Sequence, residues 1–233
     1  MTGLVALVTG ASSDIGAAIT RALADAGVSV VASGRNHDKL ARIAAGRDGQ
    51  IETIAADMTG AAGLDAIRSL VLQRGRLDVL VLGSGIYERS ANPDALMRQF
   101  ITNVHAPYSL LQAVLPELIA SEGLVIFINS TQGLAASPGV GQYAATQHAM
   151  RALADSTRAE VNSLGVRVTT IFLGRTATAR QAAIFAMEQR PYTPERLIQP
   201  KDVAAVAVGL VTLPRTSEVM EIRMRPRLPP LPS

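Results

Sequence analysis

Along this chain of 233 residues, short apolar runs alternate with longer segments of helical period, and that alternation restricts the fold more than any other feature. The runs 4–8, 28–32, 51–55, 77–82, 124–128, 166–172 and 219–224 are rich in Val, Ile and Leu. Most are apolar on both faces, as parallel strands must be when helices cover both sides of a sheet. Between them, the spacing predicts helices over 15–26, 37–45, 61–74, 93–119, 141–163 and 201–212. Strands that alternate with helices need right-handed crossovers, so the expectation is an α/β chain with one doubly wound parallel sheet of about seven strands. Such sheets take ligands at the carboxyl ends of their strands. One domain over 1–225 is expected, with a substrate lid near 176–199, where the rhythm breaks. A tail over 226–233 follows, rich in proline at Pro226, Pro229, Pro230 and Pro232.

Composition removes several kinds of chemistry. The chain has no cysteine, which excludes disulfides, thiolate zinc sites and a cysteine nucleophile. Its histidines, His37, His105 and His148, are scattered, and no metal site is expected. Aromatic residues make up 3% of the chain and the net charge is +3, a poor basis for stacking on or wrapping a nucleic acid. Arg223, Arg225 and Arg227 are too small a footprint to change that. No basic leader precedes the first strand, and the longest apolar stretch, 203–213, is too short to span a bilayer. The expectation is a cytoplasmic protein that binds neither membrane nor nucleic acid.

The first strand runs into Thr9, Gly10, Ala11, Ser12, Ser13, Asp14, Ile15 and Gly16, which open directly into a helix. Gly10 permits a tight turn, and Gly16 lets the helix pack closely on the strand. The free N–H groups and dipole of the helix start favour a pyrophosphate. This loop resembles the Thr-Gly-x-x-x-Gly-x-Gly fingerprint of the short-chain dehydrogenases/reductases, with Asp14 where the middle glycine is usual. The resemblance runs over roughly 3–225 and implies a Rossmann-like domain that holds a nicotinamide dinucleotide. It gives Gly10, Ser12, Ser13, Asp14, Ile15 and Gly16 to the cofactor's phosphates. Gly34 stands where family members that prefer NAD(H) carry Asp, and Arg35 follows it; a missing acid beside an arginine favours NADP(H) over NAD(H). Asp57 and Met58 match the positions at the adenine. Gly83, Ser84 and Gly85 replace the usual Asn-Asn-Ala-Gly after strand four, which loses an Asn that ties strands together. Gly174, Thr176 and Thr178 correspond to the stretch that holds the nicotinamide carboxamide.

The resemblance also carries the catalytic set. Asn103 matches the residue that orders a relay water, and Ser130 precedes Tyr143 by the 13 residues expected of the family's Ser–Tyr pair. The family signature continues Tyr-x-x-x-Lys, but the fourth residue after Tyr143 is Gln147. Residues four apart share a helix face, and a lysine there would lower the phenol's pKa and stabilise the tyrosinate. Gln147 can bond the nicotinamide ribose without supplying charge. Arg151, one turn further, offers some positive potential or is simply a solvated or interface residue, and His148 reads as packing. Ile184, Phe185, Met187 and Tyr192 form either an apolar substrate wall or the buried side of a surface helix.

Two functions follow. One is an NADP(H)-dependent oxidoreductase that reduces a medium-sized, fairly apolar ketone or aldehyde, slowed by the missing lysine. The alternative is a weak or inactive NADP(H)-binding protein, a sensor or scaffold. The apolar excess on 93–119 and 141–163, which the family pairs between subunits, implies a homodimer or homotetramer.

Overall fold

The computed structural model describes residues 1–90 and 92–228, so most of the proline-rich tail lies outside the described residues. Seven parallel strands form one sheet: β1 (Val5–Thr9), β2 (Ser29–Gly34), β3 (Ile51–Ala55), β4 (Val79–Leu82), β5 (Leu124–Ser130), β6 (Arg167–Leu173) and β7 (Glu221–Met224). Their order is β3-β2-β1-β4-β5-β6-β7. The chain therefore reverses direction across the sheet between β1 and β4, where a crevice opens at the carboxyl ends. The helices are α1 (Asp14–Asp25), α2 (His37–Ala44), α3 (Ala61–Gln73), α4 (Pro93–Phe100), α5 (Ala106–Ala120), α6 (Gly141–Val161), α7 (Ala179–Met187) and α8 (Pro200–Thr212).

Side chains alternate across the sheet with period two, and the core divides accordingly. Ala6, Val8, Val30 and Ala32 pack with Ile19 and Leu23 of α1 and Val203 and Ala207 of α8. Leu7, Val31, Leu80 and Phe127 point the other way, onto Ile67, Leu110, Val114 and Ala154 of α3, α5 and α6. Both faces of the central strands are covered, which accounts for runs without polar alternation.

The single helix expected over 93–119 is broken: a π turn at Ile101–His105 separates α4 from α5. Pro107, four residues after Asn103, has no N–H for the Asn103 carbonyl, so a regular α-helical ladder cannot run through this point. The segment 176–199 contains α7 and a short 3₁₀ turn at Pro194–Arg196. It is pinned at its base by a parallel bridge between Thr176 and Ile198.

One buried polar residue, Asp78, organises the bottom of the sheet. Its Oδ2 accepts from the Val5 N–H at 2.8 Å and the Arg76 Nε–H at 2.8 Å, while its own carbonyl accepts from Leu124 at 2.8 Å. It thus ties the starts of β1, β4 and β5 together. Asp78→Ala leaves the Val5 N–H buried without its partner and is expected to cost about 1–3 kcal/mol. Urea unfolding checks this: the midpoint falls while the slope stays unchanged.

Candidate active site

The phosphate loop is shaped by contacts that tolerate no side chain. Gly10 has φ of +67°, and a Cβ there would lie 2.7 Å from the Gly83 carbonyl oxygen. A Cβ on Gly16 would lie 2.2 Å from the Gly10 carbonyl oxygen. The Ser13 hydroxyl accepts from Gly16 N–H at 3.1 Å as the N-cap of α1. The Thr9 hydroxyl donates to the Val81 carbonyl at 3.2 Å and accepts from Gly83 N–H at 3.1 Å. It ties β1 to the end of β4, the kind of strand tie that the missing asparagine was expected to leave undone.

A cleft of about 410 Å³ opens above these strand ends. Of the residues predicted from sequence, it brings together Ser13, Asp14, Ile15, Gly83, Ser84, Gly85, Ser130, Tyr143, Gln147, Gly174, Thr176 and Thr178. Gly10, Ser12 and Gly16 shape the loop beneath it. Arg35 stands exposed just beyond β2. Asp57 is exposed after β3, where its carboxylate accepts from the Thr59 N–H at 3.0 Å and hydroxyl at 2.7 Å; these bonds hold its pKa below the ordinary value. Met58 is buried in the core cluster that includes Val31 and Leu80.

Asn103 is buried in the π turn, and its side chain makes three hydrogen bonds. Oδ1 accepts from Ile86 N–H at 2.7 Å, and Nδ2 donates to the Ile86 carbonyl at 2.9 Å and the Thr146 hydroxyl at 3.1 Å. It clamps the loop after β4 to α6. Tyr143 and Gln147 lie on α6, one turn apart. Burial pushes the Tyr143 phenol above its ordinary pKa of 10.0; the nearby Arg180 charge and a hydrogen bond with the Ser130 side chain pull the other way. Gln147 is buried, and its Nε2 donates to the Thr146 hydroxyl at 3.3 Å.

Several site residues carried no sequence signal. Asn129 donates from Nδ2 to the Gln147 carbonyl at 3.0 Å, fixing α6 against β5. Tyr87 sets its ring edge-on to Tyr143, with centroids 5.2 Å apart. Lys39, Arg175, Arg180 and Glu188 also line the cleft. Two alternatives for α6 are now decided. Arg151 pairs with Glu221 at 3.1 Å, away from the phenol. His148 is exposed, with Nδ1 2.9 Å from the Ala144 carbonyl, and it does not pack. Of the four apolar residues expected in the lid wall, only Ile184 lines the cleft. Phe185 is instead buried, with its ring 5.6 Å from the Tyr192 ring, and Met187 is exposed.

Residues 4–189 match the short chain dehydrogenase family, and the chain belongs to it. An uncharacterized oxidoreductase of Staphylococcus epidermidis is 31% identical over 228 residues, covering 95% of this chain and 96% of that protein. Among solved structures, a metagenomic short-chain oxidoreductase in complex with NADP is 30% identical with a TM-score of 0.83, covering 98% of this chain and 99% of that one. An alcohol dehydrogenase of Thermococcus sibiricus, complexed with 5-hydroxy-NADP, is 27% identical with a TM-score of 0.83 over 96% and 97% of the two chains.

No described helix is long and apolar enough to cross a membrane. Gly16→Ala is expected to cost about 1–3 kcal/mol through overpacking against main chain and to weaken dinucleotide binding. Thermal unfolding and a nucleotide titration of the variant check both effects.

Proposed function

We propose that the chain is an NADP(H)-dependent oxidoreductase that reduces a medium-sized, fairly apolar ketone or aldehyde. The observation that carries this is the convergence of Tyr143 and Ser130 with the glycine-shaped phosphate loop on one cleft. Gly10, Ser13, Ile15 and Gly16 would hold the pyrophosphate, and Gly83 to Gly85 leave room for the adenosine ribose. Gly174, Thr176 and Thr178 would hold the nicotinamide end, with Gln147 at its ribose. A bound NADPH supplies hydride to the substrate carbon. Ser130 orients the carbonyl oxygen, and Tyr143 donates its phenolic proton to that oxygen. A raised pKa keeps Tyr143 protonated at neutral pH, as a general acid requires.

The preference for NADP(H) has a steric and an electrostatic basis. A Cβ at Gly34 would lie 2.7 Å from the Ser12 hydroxyl oxygen, so an acid at this position, which would bind a free ribose hydroxyl, would require Ser12 to move. Arg35 and Lys39 offer two cations for a 2′-phosphate. The structures complexed with NADP and 5-hydroxy-NADP support the same preference. Replacing both Arg35 and Lys39 with Ala is expected to narrow the NADPH-over-NADH affinity ratio by about tenfold or more, since a charge-assisted hydrogen bond is worth about 1.5–3 kcal/mol. Competitive nucleotide titrations measure that ratio.

Leu96, Met97, Phe100 and Ile101 leave an apolar face exposed on α4 and the π turn, which supports a homodimer or homotetramer. The functional domain spans 1–225, with 176–199 as its lid, and the work is cytoplasmic.

The catalytic reading is tested by following NADPH consumption with apolar aldehydes and ketones. Tyr143→Phe is expected to lose about 10²–10⁴-fold, and Gln147→Lys to gain rate. The wild-type reduction rate stays level through neutral pH and falls only above the ordinary tyrosine pKa of 10.0, as the acid loses its proton. Tight NADPH binding with no turnover of any carbonyl would favour the sensor or scaffold.

A further inference from the structure

The chain departs from the fingerprint of its family at Asp14 and at Gln147, and both residues line the cleft that Ala179 and Arg180 of α7 also line. The Asp14 carboxylate does not project into the phosphate cradle unpartnered. Its Oδ2 accepts from the Ala179 N–H at 2.8 Å, at the first residue of α7. Thr178, the N-cap of α7, accepts from Gln181 N–H at 3.1 Å. The start of the lid helix is therefore held from inside by its own cap and from outside by a carboxylate of the phosphate loop. A carboxylate suits this position, because a helix N-terminus carries positive dipole charge and unpaired N–H groups.

Fixing Ala179 fixes its neighbour. Arg180 reaches across the cleft and donates from Nη2 to the Gly85 carbonyl, at the end of the β4 loop that also passes Asn103. That acceptor is neutral, so the bond leaves the guanidinium charge uncompensated. The other charged groups around the cleft are placed differently. Arg175 is neutralised by Glu188 at 2.8 Å, Lys39 stands on α2 beyond the phosphate loop, and Asp14 is committed to α7. The groups acting on Tyr143 itself are Arg180, the Ser130 hydroxyl and the Tyr87 phenol; among them Arg180 is the strongest influence favouring the ionised form.

We propose that Arg180, delivered by a lid that Asp14 latches to the phosphate loop, supplies to Tyr143 the positive charge that Gln147 does not. The inference rests on the reading of Tyr143 as the proton donor. As the proton leaves Tyr143 for the carbonyl oxygen, the phenolate left behind shares the cleft with the guanidinium. In this arrangement the charge belongs to α7 and not to α6, the helix that carries Tyr143. Arg180 is a positioning residue that acts through Tyr143, and Asp14 acts through Arg180.

The test needs neither substrate nor turnover. Tyrosine is replaced biosynthetically by 3,5-difluorotyrosine, whose electron-poor phenol ionises at lower pH. The titration of each residue is then followed by fluorine NMR, with Tyr143 assigned from Tyr143→Phe. Arg180→Gln is expected to move the Tyr143 midpoint upward by about one pH unit or more, the direction and size expected when an opposite charge is removed from beside an ionising group. Arg180→Lys keeps most of the wild-type value. Asp14→Gly moves the midpoint the same way as Arg180→Gln, and the double variant adds little further shift, because both act through one charge. A midpoint in Arg180→Gln equal to that of wild type, in protein whose other tyrosines titrate as before, overturns the proposal. The reductase reading fails separately, through absent NADPH consumption, and the two failures are distinguishable.

Discussion

The first turn of α1 lies so close to β1 that Gly16 nearly touches the Gly10 carbonyl, and the rest of the site is arranged around that contact. With the helix pressed onto the strand, its N-terminal N–H groups face the opening between β1 and β4. Thr9 anchors the neighbouring strand end at the matching height, and Gly83 fits against Gly10 because neither carries a side chain. A dinucleotide's phosphates need this meeting of backbone amides, small residues and helix dipole.

The side of the cleft that carries Tyr143 and Ser130 is assembled by a different means, a set of buried amides and hydroxyls. Asn103, Thr146, Gln147 and Asn129 link the β4 loop, α6 and β5 through consecutive hydrogen bonds. Such a network places Tyr143 and Ser130, whose own main-chain groups join it through the Thr146 hydroxyl and the Asn129 side chain. The segment around α7 adds a third component, in which Phe185 is flanked by Arg175 and Tyr192.

Seven strands and the crossover pattern were legible in the sequence because parallel strands buried on both faces leave uninterrupted apolar runs. The phosphate loop was legible because its glycines are sterically required in a fixed order. The break between α4 and α5 was not, although Pro107 was present to signal it; the apolar period continues across the π turn and hides it. The lid misled in another way: Phe185 and Met187 share an apolar character but end up on opposite sides of α7, which composition alone cannot separate. Asp78, Asn129 and Arg180 sit in unremarkable sequence, and their roles depend on partners 73, 18 and 95 positions away. Asp14 is the most instructive case. Read against the fingerprint, it is a charge misplaced beside a phosphate, yet its partner 165 residues away gives it a purpose in the fold.

The central claim is that this cleft is a dinucleotide site despite the carboxylate at position 14. Calorimetric titration of the wild-type protein with NADPH and with NADH tests it most directly. The account predicts saturable binding of one NADPH per chain, tighter than that of NADH. Saturation by neither nucleotide would contradict it.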